Sequence, residues 1–160
     1  MLHAATQRPG SHTDCFTATV PLHSAADDGL ARFAFIFFDS WLFRLELKIL
    51  GLAGKAYPTH SDPVALAKGE TDHFAAWIVD GRTDTELLLR VAETPILTWL
   101  SVAPTDGAAH LFFGSGILSQ DGKTQPHWGF RATMGAHKFY SVSLLRAAVA
   151  DWKTGKALPR

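Results

Sequence analysis

The sequence has little of three features that would narrow its function: cysteine, net charge and long apolar runs. One cysteine, Cys15, stands among 160 residues, so the chain can form no internal disulfide, which suits a reducing compartment. Fifteen basic residues balance fifteen acidic ones. Phosphate backbones and anionic membranes attract proteins through excess positive charge. We therefore expect neither nucleic acid nor a membrane surface as a partner.

Targeting and membrane-spanning patterns are also missing. Residues 1–14 contain no apolar stretch of the kind that a secretory signal needs. The most hydrophobic run, Phe33–Phe38, stops at Asp39 and is far shorter than the roughly 20 residues that span a bilayer. We therefore expect a cytoplasmic protein with no membrane span.

The sequence also lacks the common motifs for metals and phosphate-bearing cofactors. It contains no HExxH pair, no cysteine and histidine at zinc-finger spacing and no glycine-rich phosphate loop that leads into a helix. The eight histidines are scattered along the chain. We therefore expect no bound metal and no cofactor.

What the sequence does have is enough apolar residues for one folded domain. Hydrophobic residues make up 47% of the chain, and a chain of this length can bury roughly 70% of its unfolded surface. Residues 1–13 are polar and include Pro9 and Gly10, which predicts a flexible tail. Residues 14–155 are expected to form a single α+β domain.

The first half of this domain shows one strand pattern and two helix patterns. Residues 15–22 alternate between apolar and polar, which predicts a half-buried strand. Residues 25–38 are apolar nearly all round, which predicts a buried helix. Asp39 and Ser40 can cap a second helix over residues 41–50. Its predicted buried stripe is Leu42, Leu45, Ile49 and Leu52, and its predicted solvent side is Arg44, Glu46 and Lys48.

The second half changes to a period of two near His73, after a predicted long loop over residues 55–72. Five strands are expected there: residues 73–79, 85–92, 96–103, 108–119 and 127–134. Their short connections imply antiparallel pairing. After Gly135 a final amphipathic helix carries Val142, Leu145, Val149 and Trp152. The sequence thus predicts an antiparallel sheet of about six strands that grips a long C-terminal helix, with two helices inserted after the first strand.

This element order matches the helix-grip, or START-like, fold. Three stretches carry a closer resemblance: Asp39–Leu42 with Leu45 and Gly51–Leu52, Thr85–Leu89, and His137 with Tyr140 and Leu144–Arg146. They resemble the uncharacterised bacterial family known as domain of unknown function 2867, which has no assigned activity. START-like proteins generally hold apolar or aromatic small molecules, and some relatives are cyclases or hydratases. The resemblance therefore implies a hydrophobic cavity between the sheet and the last helix.

Seven residues are candidates for lining such a pocket. Six have an aromatic ring with a polar atom, and Arg90 is a charged residue within an otherwise apolar predicted strand. The seven are Trp77, Arg90, Trp99, His110, Trp128, His137 and Tyr140. Aromatic side chains with a polar edge suit a ring-containing ligand, but they suit an ordinary core equally well. The Arg90 guanidinium could hold a carboxylate, or it could pair with an acid at the surface.

A second group of ionisable residues crowds the predicted loop and its exit: Asp62, Glu70, Asp72 and His73. A carboxylate and an imidazole near a pocket could perform general acid–base chemistry. The alternative interpretation is a solvated loop without a function of this kind.

Three functions therefore stay open. The first is a binding domain for an apolar or aromatic small molecule. The second is a small cofactor-independent enzyme of the cyclase, hydratase or isomerase type, which requires at least two titratable groups that converge in the cavity. The third is a non-enzymatic protein that forms a homodimer through an outer sheet face, because Leu87, Leu88 and Leu89 place apolar residues on both faces of one strand. The binding domain ranks first.

Overall fold

The computed structural model has an α+β architecture in which one six-stranded antiparallel sheet is covered by helices. The structure describes residues 2, 7, 11–22, 29–52, 62–119 and 128–159, and of residues 50–52 and 128–136 it describes the backbone alone. A first strand is followed by three helices, five further strands and a long C-terminal helix. This arrangement confirms the predicted fold class and is consistent with a helix grip.

The sheet follows the order β1-β6-β5-β4-β3-β2, and every neighbouring pair is antiparallel. Its strands are β1 (His12–Pro21), β2 (His73–Phe74), β3 (Trp77–Arg82), β4 (Glu86–Val91), β5 (Ile96–Thr105) and β6 (Ala108–Ile117). The first strand lies beside the last one, so the sheet joins the two halves of the chain. β1 begins at His12, two residues before the predicted domain boundary.

Four helices cover one face of the sheet. They are α1 (Leu30–Phe38), α2 (Trp41–Leu52), α3 (Pro63–Lys68) and α4 (Trp128–Lys153). α1 is buried nearly all round, as its composition predicts, and Phe33, Ile36 and Phe37 are almost fully inaccessible to solvent. α4 packs against β1, α1 and α2. None of the helices in the described part of the chain combines the length and the apolar character that a bilayer crossing requires.

The core lies between this helical layer and the sheet. Phe37, Phe38, Phe43, Phe74 and Trp77 form a continuous aromatic cluster, with ring centroids of neighbouring pairs 5.0–6.4 Å apart. Such tilted and edge-on contacts are the favoured aromatic geometries. The cluster fixes α1 and α2 against β2 and β3.

One end of the core contains a buried cation. The guanidinium of Arg32, a residue that is 4% exposed, donates to the carbonyl oxygens of Lys156 at 2.9 Å and Trp152 at 3.0 Å. It also lies 4.3 Å from the centroid of the Trp152 ring. The Trp152 indole donates in turn to the Pro21 carbonyl. These contacts tie the end of α4 to α1 and to the end of β1.

The exposed and buried sides of α2 differ from the sequence prediction. Leu45 and Ile49 were expected in the buried stripe, but they are 44% and 57% exposed. The helix instead turns Phe43 and the half-buried Glu46 inward. The aromatic cluster around Phe43 determines this rotation.

The predicted loop over residues 55–72 is also wrong in part, because its second half contains α3. Asp62 caps this helix by accepting a hydrogen bond from the Val64 amide at 2.8 Å, and Pro63 follows at the first helical position. This order is a standard helix start. Gly69, with φ of 76°, ends the helix in the left-handed conformation. Residues 53–61 lie outside the described residues.

Two strand predictions need correction, although the total of six holds. Residues 127–134 were expected to be a strand, but α4 begins at Trp128, two turns earlier than Gly135 suggested. Residues 73–79 were expected to be one strand, but they are divided between β2 and β3. Ala75, with φ of 50°, makes the turn between them.

The outer sheet face, which points away from the helices, has a small cluster of its own. Leu2 packs there with Leu88 and Leu97, and Trp99 lies against them. A Cβ at Gly114 would lie 2.5 Å from a Leu2 methyl carbon and 3.0 Å from the Trp99 ring. Gly114 therefore allows this close packing. β6 keeps a regular register with both of its neighbours.

Candidate functional site

A stripe of α4 faces the sheet with a mixture of polar and apolar side chains. It consists of His137, Tyr140, Ser141 and Leu144, which follow the spacing i, i+3, i+4, i+7 of one helix face. All four line a cavity of about 330 Å³ between α4 and the sheet. A cavity of this size lies within the range of small-molecule sites.

The opposite walls come from α1, α2 and strands β3 to β6. The apolar part of the lining consists mainly of Phe37, Phe43, Ala76, Trp77, Val91, Ile96 and Phe113. The polar part is smaller and comprises Glu46, Thr94, Thr98 and Ser115, together with the α4 residues. Predominantly apolar walls with a few convergent polar groups are the usual character of a ligand site.

His137 is joined to the sheet by a hydrogen bond. Its Nε2 atom lies 2.8 Å from the Ser115 hydroxyl oxygen, and Ser115 is itself buried in β6. Ser115 can donate to a neutral Nε2, or it can accept when Nε2 carries a proton. This pair therefore offers the cavity both a hydroxyl and a titratable imidazole.

Tyr140 makes a second polar contact, between α4 and α2. Its hydroxyl donates a short hydrogen bond to the Glu46 carboxylate. Burial raises the pKa of the Glu46 carboxyl, although the hydrogen bond from Tyr140 acts in the opposite direction. Burial and the adjacent carboxylate both raise the pKa of the Tyr140 phenol. Tyr140 therefore keeps its proton throughout the neutral range.

Ser141 is the least satisfied polar group in this lining. The residue is 1% exposed, and its hydroxyl oxygen has no hydrogen-bond partner among the residues that the structure describes. By contrast, the Trp77 indole donates to the Thr98 hydroxyl at 3.1 Å. A buried hydroxyl without a partner destabilises the protein by about 1–3 kcal/mol. A ligand in the cavity could remove this destabilisation by forming a hydrogen bond with the Ser141 hydroxyl.

Three of the seven candidates that the sequence suggests come together here, namely Trp77, His137 and Tyr140. Trp128 lies in the first turn of α4, and its side chain is outside the described ones. The remaining three are on the outer face of the sheet: Arg90, Trp99 and His110.

The contacts of these outer residues explain their positions. Arg90 forms an ion pair with Asp80, with Nε and Oδ2 3.2 Å apart. The His110 ring lies 3.0 Å from the Thr19 hydroxyl. Trp99 packs with Leu2, and its indole nitrogen is buried without a partner among the described residues.

The ionisable residues of the predicted loop do not join the cavity. Asp62, Glu70, Asp72 and His73 are all exposed, and none of them is part of the lining. No group of three or more potential metal ligands occurs in the described parts of the chain.

Sequence reasoning missed five polar residues of the lining: Glu46, Thr94, Thr98, Ser115 and Ser141. Glu46 was assigned to the solvent side of α2, because the exposed stripe of this helix is as hydrophobic as its buried one. Ser141 could have been found, since it follows His137 by one helical turn. Ser115 carries no such signal, because its contact with His137 depends on how α4 lies across the sheet.

Comparison with known proteins assigns no family to the chain. No protein-family model matches it, and the curated proteins contain no significant match. The resemblance to domain of unknown function 2867 accordingly stays a prediction.

Proposed function

We propose that the protein is a binding domain for an apolar or aromatic small molecule that carries at least one polar group. The observation that carries this proposal is the Ser141 hydroxyl, which has no partner among the described residues and is buried in a cavity whose other walls are largely aromatic. Ordinary core packing does not account for it, because cores fill voids with apolar side chains and bond their buried polar groups.

The cavity lining has two regions, one aromatic and one with hydrogen-bonding groups. Phe37, Phe43 and Trp77 provide flat apolar surface for a ring. His137, Ser141 and Ser115 provide hydrogen-bonding groups on the side of α4 and β6. A ligand with a ring at one end and a polar atom at the other would satisfy both regions.

Calorimetric titration and thermal denaturation with indole and tryptophol test this proposal. Saturable binding is expected, and a ligand at about 100 times its Kd stabilises the fold by about 2.7 kcal/mol. For a chain of this length this corresponds to a rise in Tm of about 5–10 °C. Failure of every apolar ring compound in such a series to bind would contradict the proposal.

A pair of variants locates the binding. Ser141→Leu fills part of the cavity and is expected to abolish binding. Ser143→Leu is the matched control, since Ser143 lies outside the cavity lining. Thr98→Leu fills the cavity from the sheet side and is the alternative cavity-filling variant if Ser141→Leu does not fold. Unchanged binding to a folded, cavity-filled variant would place the ligand elsewhere.

The enzyme hypothesis is a second candidate, favoured by the convergence of two titratable groups, His137 and Tyr140, in one cavity. In the simplest reaction His137 removes a proton from the carbon beside a ketone, while the Tyr140 hydroxyl turns from Glu46 and donates its single proton to a hydrogen bond with the ketone oxygen. The proton then returns to the substrate, so the reaction is an isomerisation or an exchange.

Deuterium exchange into indanone in heavy water, followed by NMR, tests this second candidate. A general base contributes about 100-fold to 10,000-fold to such a rate, so His137→Gln should slow the exchange by this order. The candidate fails if wild type and His137→Gln give the same rate.

The homodimer hypothesis has less support from the described contacts. It depends on an uncovered apolar outer face, but Leu2 already packs over Leu88, Leu97 and Trp99 on that face. Sedimentation analysis tests it directly, with a monomer expected.

A further inference from the structure

The charge of the cavity restricts its ligand. Among the described side chains that line it, Glu46 is the only carboxylate, and none is a lysine or an arginine. Lys138, the nearest lysine along α4, is instead exposed, with its ammonium nitrogen 3.8 Å from Asp14. The other titratable groups of the lining are His137 and Tyr140. The described part of the lining therefore carries a negative group without a fixed cation to balance it.

The aromatic walls favour the same sign of ligand charge. Phe37, Phe43, Trp77, Phe113 and Tyr140 contribute rings to the lining. The face of an aromatic ring carries partial negative charge, and it attracts a cation within about 6 Å of the ring centre. A site made of several rings and one carboxylate is therefore suited to an organic cation.

The hydrogen bonding of Glu46 leaves room for such a cation. Within the described residues, the carboxylate accepts one hydrogen bond, from the Tyr140 hydroxyl. An ionised carboxylate has about four acceptor positions. A protonated amine can fill the remaining positions and neutralise a partly buried charge, which a neutral hydroxyl cannot do.

We propose that the cavity selects ring compounds that carry a protonated amine, with the ammonium group against Glu46 and the ring among Phe37, Phe43 and Trp77. This inference rests on the proposed binding function and adds the chemical class of the ligand. An anionic ligand is disfavoured by the same geometry, since its charge would lie beside Glu46.

Three indole compounds of similar shape test the proposal: tryptamine, tryptophol and indolepropionate, which carry a cation, a neutral hydroxyl and an anion. Their dissociation constants are measured by calorimetry at neutral pH. Tryptamine is expected to bind at least about tenfold more tightly than tryptophol, a factor that corresponds to about 1.4 kcal/mol. Indolepropionate is expected to bind most weakly.

The Glu46→Gln variant keeps the shape of the side chain and removes its charge. It should bring the affinity for tryptamine down to that for tryptophol. Glu70→Gln is the matched control, because Glu70 is exposed and outside the lining. Tyr140→Phe retains the carboxylate, so it should retain the preference for tryptamine even if Glu46→Gln does not fold.

The outcomes separate the two proposals. Equal affinities of tryptamine and tryptophol for wild type, or a preference that survives in folded Glu46→Gln, would overturn the amine inference and leave the binding function standing. Loss of the preference in folded Tyr140→Phe would also overturn it. If none of the three compounds binds, the binding function fails as well.

Discussion

The C-terminal end of α4 and its middle treat buried polar groups in opposite ways. At the C-terminal end, the buried Arg32 guanidinium donates to two carbonyl oxygens and stacks over Trp152, whose indole donates a hydrogen bond to the Pro21 carbonyl oxygen. Near the middle of the helix, Ser141 has no partner among the described residues and Glu46 accepts from one neutral donor. His137 and Trp152 are 15 positions apart, which corresponds to about 22 Å along a helix.

This difference distinguishes a structural polar cluster from a site. The chain satisfies the buried charge of Arg32 with its own atoms, so this end contributes to stability alone. The cavity beside the middle of α4 also contains buried polar groups but leaves part of their hydrogen-bonding capacity unused. Stabilising interactions are expected to be concentrated around Arg32, and ligand interactions around Ser141.

The largest expected effect comes from Trp152→Ala. Trp152 is fully buried and anchors α4 to α1 and β1. Removing such a side chain costs about 3–5 kcal/mol in the free energy of unfolding, which urea denaturation measures. Phe139→Ala on the exposed side of α4 is the control, expected within about 0.5 kcal/mol of wild type. An equal effect of both variants would contradict the described packing.

Arg32→Leu should have the next largest effect. Leucine keeps apolar bulk but removes the donor to the Lys156 carbonyl oxygen. The Trp152 carbonyl oxygen loses one donor and keeps the Gly155 amide. An unsatisfied buried group costs about 1–3 kcal/mol, so a loss of this size is expected by denaturation. A variant as stable as wild type would show that this cluster is not structurally important.

Two buried serines sharpen the comparison with a smaller effect. The Ser40 hydroxyl donates to the Phe37 carbonyl oxygen and accepts from the Phe43 amide, so Ser40→Ala should destabilise the fold by about 1 kcal/mol. Ser141→Ala removes a hydroxyl that has no partner in the described part of the chain, and it should leave the unliganded protein unchanged or slightly more stable. If Ser141→Ala is the more damaging of the two, Ser141 has a structural partner and is not free for a ligand.

The smallest effect expected is a dependence of stability on pH that comes from Glu46. Burial raises the pKa of its carboxyl above the ordinary 4.5, so the folded protein holds this proton more tightly than the unfolded chain does. The contribution is fully present below pH 4.5 and is lost as the pH rises through the folded pKa. Glutamine does not titrate, so Glu46→Gln has no such pH-dependent contribution. As the pH rises from 4.5 to neutrality the wild type loses this stabilisation, and the stability of the variant relative to wild type should therefore rise. A constant difference would contradict the burial of Glu46.

Most of the sheet and the first two of the three inserted helices could be predicted from the sequence, because their signals are local. Alternation across β4, β5 and β6 and the apolar run of α1 place those elements within a few residues. The N-terminal part of α4 could not be predicted in the same way. Trp128, Phe130, Ala132 and Met134 alternate like a strand, and Gly129 and Gly135 are poor helix formers. The helix forms there nevertheless.

The site was less predictable than the fold, because it depends on contacts between distant elements. Trp77, His137 and Tyr140 could be nominated as aromatic or titratable residues in suitable segments. Successive residues of a strand point to opposite faces of the sheet, so the face of each residue depends on the strand's register. Val91 and Thr98 face the cavity, and their neighbours Arg90 and Trp99 therefore point to the outer face. The inward position of Glu46 depends on how α2 is rotated about its axis. The contacts of Phe43 in the aromatic cluster determine this rotation, and the sequence of α2 alone does not.

Methyl NMR during titration with tryptophol tests most directly whether the space beneath α4 is a ligand site. The account predicts saturable shifts of the Val91, Ile96 and Leu144 methyl groups, which line the cavity. The resonances of the Val20 and Leu111 methyl groups, which are buried elsewhere in the core, should not shift. Shifts that never saturate, or that spread equally over both sets, would contradict it.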